Sequence, residues 1–272
     1  MVLFTQLNLH KAKQAGILAG QNMEGKDNFI SLLTEPHLVY NKLHGFPRGT
    51  QIIYDNTIPK HKPGPRAAIV CSRELTMTAL PQWSGRDCAA AILRLDKEYI
   101  IVASVYLDIR TSPRPAWLEA LLDMAATKDY PLILGIDSNA HSTLYGPNNN
   151  ARGDEIEDLI IQHGLEVENK GNTPTFEIKR GRNLVATHID ITLSRGLTDR
   201  INQWQVNQEY NASDHNTIQY TLTCPRNTEK TYIRPWSKAD WGLFTKYLAE
   251  ADYKMPDKMN MKKLDRTLEK VY

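Results

Sequence analysis

Five separated polar stations punctuate an otherwise ordinary apolar pattern: Asn8, Glu35, Tyr106, the Asp137-Ser138-Asn139 turn, and Asp190 together with Ser213-Asp214-His215. Each falls at the end of a strand-like run, and α/β folds gather reactive groups outside the carboxyl ends of their strands. Glu35 follows Ile30-Ser31-Leu32-Leu33-Thr34 and precedes Pro36. A carboxylate held there suits Mg²⁺, which takes one or two protein carboxylates and keeps several waters. A lone Glu could equally be a solvated loop acid, and a lone Asn8 could simply cap a turn. Asp137 and Asn139 flank Ser138 after the apolar run 131–136, and side chains at i and i+2 of an extended segment face the same way. The Asp would orient or deprotonate a water while the Asn amide donates to a phosphate oxygen; general-base help of this kind is worth about 10²–10⁴-fold. Standing alone, the same dipeptide is as readily an Asx-turn.

Alternation over residues 187–193 puts Ile189, Ile191 and Leu193 on one face and His188, Asp190 and Thr192 on the other. An Asp in the middle of a strand needs a partner, and His215 is the obvious one. Such a carboxylate fixes the imidazole tautomer and stabilises its charged form, the orienting logic of a catalytic dyad; the alternative is a His that merely satisfies a buried Asp. His141, just past the Asp/Asn turn, reads as structural rather than as a ligand. His10, His37, His44, His61 and His163 have no spacing that argues for zinc.

The elements that must position these groups follow from periodicity. The first eight residues, 30–34, 67–71, 88–93, 100–106 and 131–136 read as strands, their near-continuous hydrophobicity pointing to burial on both faces. Trp117, Leu118, Leu121, Leu122 and Ala125 repeat at helical spacing, as do Ile156, Leu159 and Ile160 with Gly164 as a stop. Residues 14–24 form a weaker helix, and the chain from about Leu165 to Leu222 is strand-rich. This mixture predicts an α/β fold, two packed sheets with helices outside. A second region begins at Pro225. Its Ser237 is a plausible N-cap, Trp241, Phe244, Tyr247 and Leu248 share a helix face, and Met261, Leu264, Leu268 and Val271 run uncapped to the end. A helix cut off in mid-pattern suggests the front part of a longer polypeptide. The expected organisation is a domain over 1–224 and a linker with a short helical C-terminal extension over 225–272.

Bulk charge says little about partners. The net charge is +2, but residues from Pro225 hold 11 Lys/Arg against 7 Asp/Glu, leaving 22 against 24 in residues 1–224 out of totals of 33 and 31. Affinity of the main body for a polyanion must come from local patches. No run of 18 apolar residues suggests a membrane span, and Cys71, Cys88 and Cys224 are too scattered for a disulfide framework, which fits a reducing compartment.

In this order the stations resemble the exonuclease–endonuclease–phosphatase superfamily, the DNase I-like fold. Gln6-Leu7-Asn8 is similar to its first-strand Asn motif and Thr34-Glu35-Pro36-His37 to its metal-ligand Glu motif. Ser104-Val105-Tyr106 looks like the segment with the phosphate-contacting Tyr, and Gly135-Ile136-Asp137-Ser138-Asn139 like the Asp-x-Asn motif. His188-Ile189-Asp190 is similar to the segment whose Asp supports the catalytic His, and Ser213-Asp214-His215 to the terminal motif. Within that superfamily Asp137-Ser138-Asn139-Ala140-His141-Ser142, Tyr145-Gly146 and Arg152-Gly153 resemble the endonuclease domain of non-LTR (LINE-type) retrotransposons. Trp236-Ser237-Lys238-Ala239-Asp240-Trp241 is similar to the segment leading to their reverse transcriptase. Two departures are notable: His10 stands where repair enzymes of the superfamily usually carry Asp, and Ile109 where many members carry Asn, leaving one phosphate contact unaccounted for.

The resemblance implies a four-layered α/β sandwich and a Mg²⁺-dependent (Mn²⁺ also possible) endonuclease that nicks one strand of double-stranded DNA. The 3′-hydroxyl left behind would prime a reverse transcriptase carried in cis, which places the protein in the nucleus. It assigns Asp137, His215, Asp190, Asn139, Tyr106 and Asn8 to catalysis and Glu35 and Asp214 to the metal. It assigns Lys179, Arg180 and Arg182, in a hairpin loop where Gly181 is free to take positive φ, to DNA along with Ser213. The competing expectations are another phosphodiesterase of the same fold, such as an apurinic-site repair nuclease or a phosphatase, and an inactive DNA-binding module.

Overall fold

The structure, a computed structural model, describes residues 1–224 apart from Asn41 and Lys60, together with Lys246. The chain divides into two units, Met1–Pro225 and Arg226–Tyr272; the linker and helices expected over 225–272 lie outside the described residues. The first unit runs β1 (Val2–Asn8), α1 (Lys13–Gln21), β2 (Phe29–Thr34), β3 (Leu38–Val39), β4 (Lys42–Leu43), β5 (Gln51–Ile53), β6 (Ala67–Cys71) and β7 (Thr76–Ala79). Then come β8 (Cys88–Leu95), β9 (Glu98–Tyr106), α2 (Ala116–Thr127), β10 (Leu132–Asp137) and α3 (Ala151–Gln162). The remainder is all strand: β11 (Glu166–Val167), β12 (Phe176–Arg180), β13 (Asn183–Thr187), β14 (Asp190–Arg195), β15 (Ile201–Asn207) and β16 (Thr217–Leu222).

Two six-stranded sheets result, ordered β15-β16-β1-β2-β6-β5 and β11-β14-β10-β9-β8-β7. Both are mixed. β1 pairs parallel with β2 and antiparallel with β16; β10 pairs parallel with β9 and antiparallel with β14. Parallel neighbours require a crossover, supplied by α1 in the first sheet and α2 in the second. Apolar side chains sort into three layers. Phe4, Leu32, Ile69, Ala91, Val102 and Tyr220 pack between the sheets, Phe4 and Tyr220 stacking with centroids 5.0 Å apart. Leu118, Leu121 and Leu122 of α2, with Ile156 and Leu159 of α3, cover the outside of the second sheet. Ala15 of α1, with Met23 and Leu43, covers the outside of the first. This is the four-layered sandwich the sequence predicted, and burial on both faces explains why β2, β6 and β10 read as unbroken apolar runs.

The two sheets are pinned together directly under the polar stations. Buried Gln6 reaches across from β1 and donates through Nε2 to the carbonyls of Ile136 (3.3 Å) and Ile191 (3.2 Å). Thr192 Oγ1 donates back to Gln6 Oε1 at 3.1 Å, and Trp204 Nε1 donates to Thr192 Oγ1 at 3.0 Å. Ser104 Oγ donates to Leu33 O at 2.8 Å, crossing the same gap. Every one of these buried polar groups is satisfied, so the bridge costs little and fixes the relative register of the sheets. Gly135 permits the close approach: a Cβ there would lie 2.7 Å from Leu32 Cδ1 and 2.9 Å from Gln6 Oε1.

One element differs from expectation. The strand expected over 187–193 is broken after Thr187, and Asp190 is the first residue of β14, not a mid-strand residue. Thr175 Oγ1 accepts from the backbone N–H groups of both Ile189 (3.1 Å) and Asp190 (3.0 Å), holding the break in place. A carboxylate at a strand start sits at the sheet edge, where it meets other chain ends.

Candidate active site

All the stations converge on one edge of the sandwich, for reasons of register. Asp137 is the last residue of β10, opposite Tyr106 at the end of parallel β9 and opposite Asp190 at the start of antiparallel β14. Tyr106, Asp137 and Asp190 therefore form a row across three adjacent strands. Asn8 ends β1, opposite Thr34 at the end of β2, which places Glu35 one residue beyond. His215 lies just ahead of β16, whose antiparallel pairing with β1 puts Ile218 opposite Gln6.

Within this edge the side chains touch. His215 Nδ1 lies 2.8 Å from Asp190 Oδ2, both groups buried, so the bond orients Nε2 as the ring's other nitrogen. Burial by itself would lower the imidazole pKa; the Asp190 carboxylate, its hydrogen bond, and the charges of Asp137 and Asp214 outweigh it and raise the pKa to about 9. Phe176 packs its ring edge-on against His215, centroids 5.0 Å apart. Asn8 Nδ2 donates to Asp137 Oδ2 at 2.7 Å and lies 3.5 Å from Glu35 Oε2, so one amide nitrogen stands between two carboxylates. The other Asp137 oxygen, Oδ1, is buried with no hydrogen-bond partner among the described residues. Burial first, then the charge of Asp190, pushes the Asp137 carboxyl well up from the ordinary carboxylate range. Burial, then the charges of Glu35 and Asp137, likewise raises the Tyr106 hydroxyl to about 12, keeping it a neutral donor.

The donor set fits a hard divalent cation. The carboxylates of Glu35, Asp137 and Asp214 are oxygen donors, and Asp137 Oδ1 is the kind of unpartnered buried oxygen that a cation or a bound water would satisfy. Glu35 itself is held at φ +45, a conformation that costs a residue other than Gly about 1 kcal/mol or more. Its backbone N–H donates to Arg66 O and its carbonyl accepts from Lys11 N–H, each at 2.8 Å. Lys11 Nζ sits 3.0 Å from Glu35 Oε1, and His10 Nδ1 3.0 Å from Asp214 Oδ1. Asp137, Asp190 and His215 also place ligand atoms within 4.8 Å of one another. Two of these already bond each other, while Glu35 lies outside that trio.

Two arginines brace this edge. Arg66 makes a paired contact with Asp87 (2.5 and 2.6 Å), donates to Asp108 Oδ2 at 2.7 Å, and lies 4.4 Å over the centre of the Tyr106 ring. Arg152, at the start of α3, donates to four backbone carbonyls: Ser138 (3.0 Å), Leu107 and Asp108 (3.1 Å each) and Thr111. It ties the loop after β9 to the loop after β10. The only sequence signal for it was the Arg152-Gly153 pair; Arg66 read as the end of a weak basic loop over 61–66 but is buried, and Asp108 gave no signal, because a buried ion pair leaves no periodic trace.

Other expected residues land nearby with different partners. Asn139 adopts φ +48, so the chain is not extended there and the i, i+2 argument for it does not hold; its amide donates to Leu107 O at 3.2 Å. Ser213 Oγ donates inward to Asn8 O at 2.7 Å and accepts from His215 N–H at 3.2 Å, a tie between the first and last stations. The His141 backbone pairs with Asn150 at the α3 N-terminus. The hairpin is present, with Arg180 opposite Asn183 and Gly181 at φ +61, a two-residue turn tighter than the loop expected. Lys179, Arg180 and Arg182 are exposed. The hairpin grows from the His215 loop: Glu177 N–H donates to Asp214 O (2.8 Å) and Asn216 N–H to Thr175 O (2.7 Å).

Two mixed sheets packed between helices, with an Asp–His pair, an Asn and two further carboxylates at one edge, define the exonuclease–endonuclease–phosphatase (DNase I-like) class. Residues 100–219 match the family described as endonuclease-reverse transcriptase. The chain is similar over 83% of its length to the whole endonuclease domain of TRAS1, a telomere-specific non-LTR retrotransposon, with a TM-score of 0.69 and 25% identity. The resemblance to non-LTR retrotransposon endonucleases read from the motifs thus holds in both comparisons. More distant likenesses share the fold alone. The AP endonuclease LMAP from Leishmania major gives a TM-score of 0.60 at 14% identity, over 82% of this chain and 88% of its own. A 3′ phosphatase from Neisseria gives 0.56 at 16%, over 82% of this chain and all of its own. No curated protein sequence matches the chain.

Proposed function

We propose that the chain is a divalent-cation-dependent endonuclease that hydrolyses one phosphodiester in duplex DNA and leaves a 3′-hydroxyl for a reverse transcriptase to extend. The observation that carries this is the Asn8–Asp137 contact beside the Asp190–His215 pair, a proton acceptor and a charged proton donor held together at one buried edge. A divalent cation, Mg²⁺ or Mn²⁺, held by Glu35 with help from Asp214 would neutralise charge developing on the phosphate. Asp137 accepts the proton of the attacking water. The water oxygen bonds to phosphorus as the P–O3′ bond breaks, leaving a 5′-phosphate and a 3′ oxygen that takes its proton from solvent water. His215, oriented by Asp190, donates to a phosphate oxygen; the neutral Tyr106 hydroxyl and the amides of Asn8 and Asn139 position the phosphate. Lys179, Arg180 and Arg182 contact the DNA beyond the scissile position.

Residues 225–272 would link this domain to a reverse transcriptase in cis, and action on chromosomal DNA would place the protein in the nucleus. Supercoiled plasmid tests the reading. Nicking is expected in Mg²⁺, absent in EDTA, and lost in Asp137→Asn and His215→Ala; equal nicking by all three proteins would overturn it.

A further inference from the structure

The loop after β9 carries a guanidinium fixed in place at the surface. Arg110 is paired with Asp108 through Nε to Oδ1 (3.1 Å) and Nη2 to Oδ2 (2.9 Å), yet its side chain is 79% exposed while that of Asp108 is 9% exposed. Asp108 is gripped from below by Arg66, which is itself gripped by Asp87. Asp87, Arg66, Asp108 and Arg110 therefore form a line of alternating charge that starts inside the protein and ends on a cation facing solvent. Exposed ion pairs are ordinarily loose, since two long side chains must be immobilised for little gain. Here one partner is already rigid, so only the arginine side chain has to be ordered.

The Arg110 side chain is dispensable for the fold. The Asp108 carboxylate also accepts from Arg66 Nη1 (2.7 Å) and from the Arg110 backbone N–H (3.0 Å). The turn is closed separately by Thr111, whose N–H (3.0 Å) and Oγ1 (3.1 Å) donate to Asp108 O. Its location is beside the reactive edge. Leu107 N–H donates to Asp137 O at 2.9 Å, and Arg152 binds the carbonyls of Leu107, Asp108, Thr111 and Ser138 together. With Nε and Nη2 turned to Asp108, Nη1 is left without a described partner, and a planar fork with a free edge suits a phosphate oxygen.

We propose that Arg110 is a preorganised phosphate-binding residue that docks a backbone phosphate of the DNA strand next to the active-site edge. This rests on the proposed DNA substrate. The loop then contributes a fixed cation within a domain whose overall charge balance does not favour DNA.

Duplex binding by fluorescence anisotropy, in Ca²⁺ and over a range of salt, tests it for the full chain, Arg110→Ala, Arg110→Lys and Arg94→Ala. Arg94 lies at the far end of β8, about 25 Å along the strand direction, and serves as a control. Losing one phosphate contact should weaken binding about tenfold and reduce the log–log salt slope by about 1. Arg110→Lys should keep the slope while binding less tightly, and Arg94→Ala should match wild type. An Arg110→Ala protein with wild-type affinity and slope, while wild type nicks plasmid, overturns this inference and leaves the proposed function intact. Wild type that neither binds nor nicks DNA overturns both.

Discussion

The reactive edge and the basic hairpin sit side by side and are built on opposite principles. At the edge the side chains are held by neighbours, Asp137 Oδ1 being left open: Asp190 holds His215, Asn8 holds Asp137, Ser213 holds Asn8, and Arg152 sews two loops together. At the hairpin tip, Lys179, Arg180 and Arg182 are exposed, and their side chains make no hydrogen bond or ion pair with any described residue. Catalysis rewards groups that need not reorganise when charge develops. Recognition of a flexible polyanion tolerates, and even uses, side chains that settle after contact. On the proposed function, chemistry and target contact are separate, while Phe176 at the hairpin base, packed on His215, joins the two.

The largest effects should come from emptying the edge. His215→Ala and Asp137→Asn should each lower nicking by about 10³-fold or more in single-turnover assays. DNA affinity in Ca²⁺ should change by less than about threefold. A variant that lost binding as much as rate would erase the proposed separation.

Asp190→Asn probes the pair more finely. With the His215 pKa raised to about 9 against an ordinary 6.5, the pair adds stability that is fully present below pH 6.5 and is lost as pH rises through 9. A reaction that needs the imidazolium should lose rate over the same alkaline range. Removing the Asp190 charge leaves burial, which lowers the imidazole pKa, opposed only by the charges of Asp137 and Asp214. The alkaline limb of the pH–rate profile should then move to lower pH, and the fall in melting temperature between pH 6 and pH 10 should shrink. An unmoved limb would mean that His215 acts without its proton.

Arg152→Ala should come next. Four carbonyls lose a charged donor at once, and buried carbonyls left unpaired cost about 1–3 kcal/mol each where water cannot reach them. A net loss of about 2–4 kcal/mol in denaturant unfolding is expected, with nicking down about tenfold because the Asp137–Asn139 turn loosens. Stability that fell without any loss of rate would show that the brace serves the fold alone.

How much of this could be read from letters depends on whether the information is local. Strand runs such as Leu132–Asp137 and the helix stripe through Leu118, Leu121 and Leu122 are local, and they matched. The stations were legible because their order along the chain matched a known pattern, not because any one of them was distinctive. Asp190 was misread as mid-strand because alternation continues through 187–193 while Thr175, from a distant loop, breaks the ladder. Asn139 was misread because its left-handed φ is set by its surroundings. The bracing contacts of Arg66 and Arg152 were not legible for the same reason: each acts on atoms well away in the chain, and no periodicity records it.

The smallest effect tests the other half of the comparison. Replacing Lys179, Arg180 and Arg182 together by Ala removes three solvated charges that brace nothing, so unfolding free energy should stay within about 0.5 kcal/mol of wild type. The hydrogen bonds that root the hairpin, Glu177 to Asp214 and Asn216 to Thr175, are backbone contacts untouched by the change. Phe176 keeps its place against His215, so the single-turnover rate on DNA already bound should hold within a few fold. What should change is capture: the salt slope of binding should fall by up to about 3, and the distribution of nicks on a random-sequence library should shift. Were the rate on bound DNA to drop a hundredfold instead, the tip would be reaching the chemistry through Phe176, and hairpin and edge would have to be treated as one device.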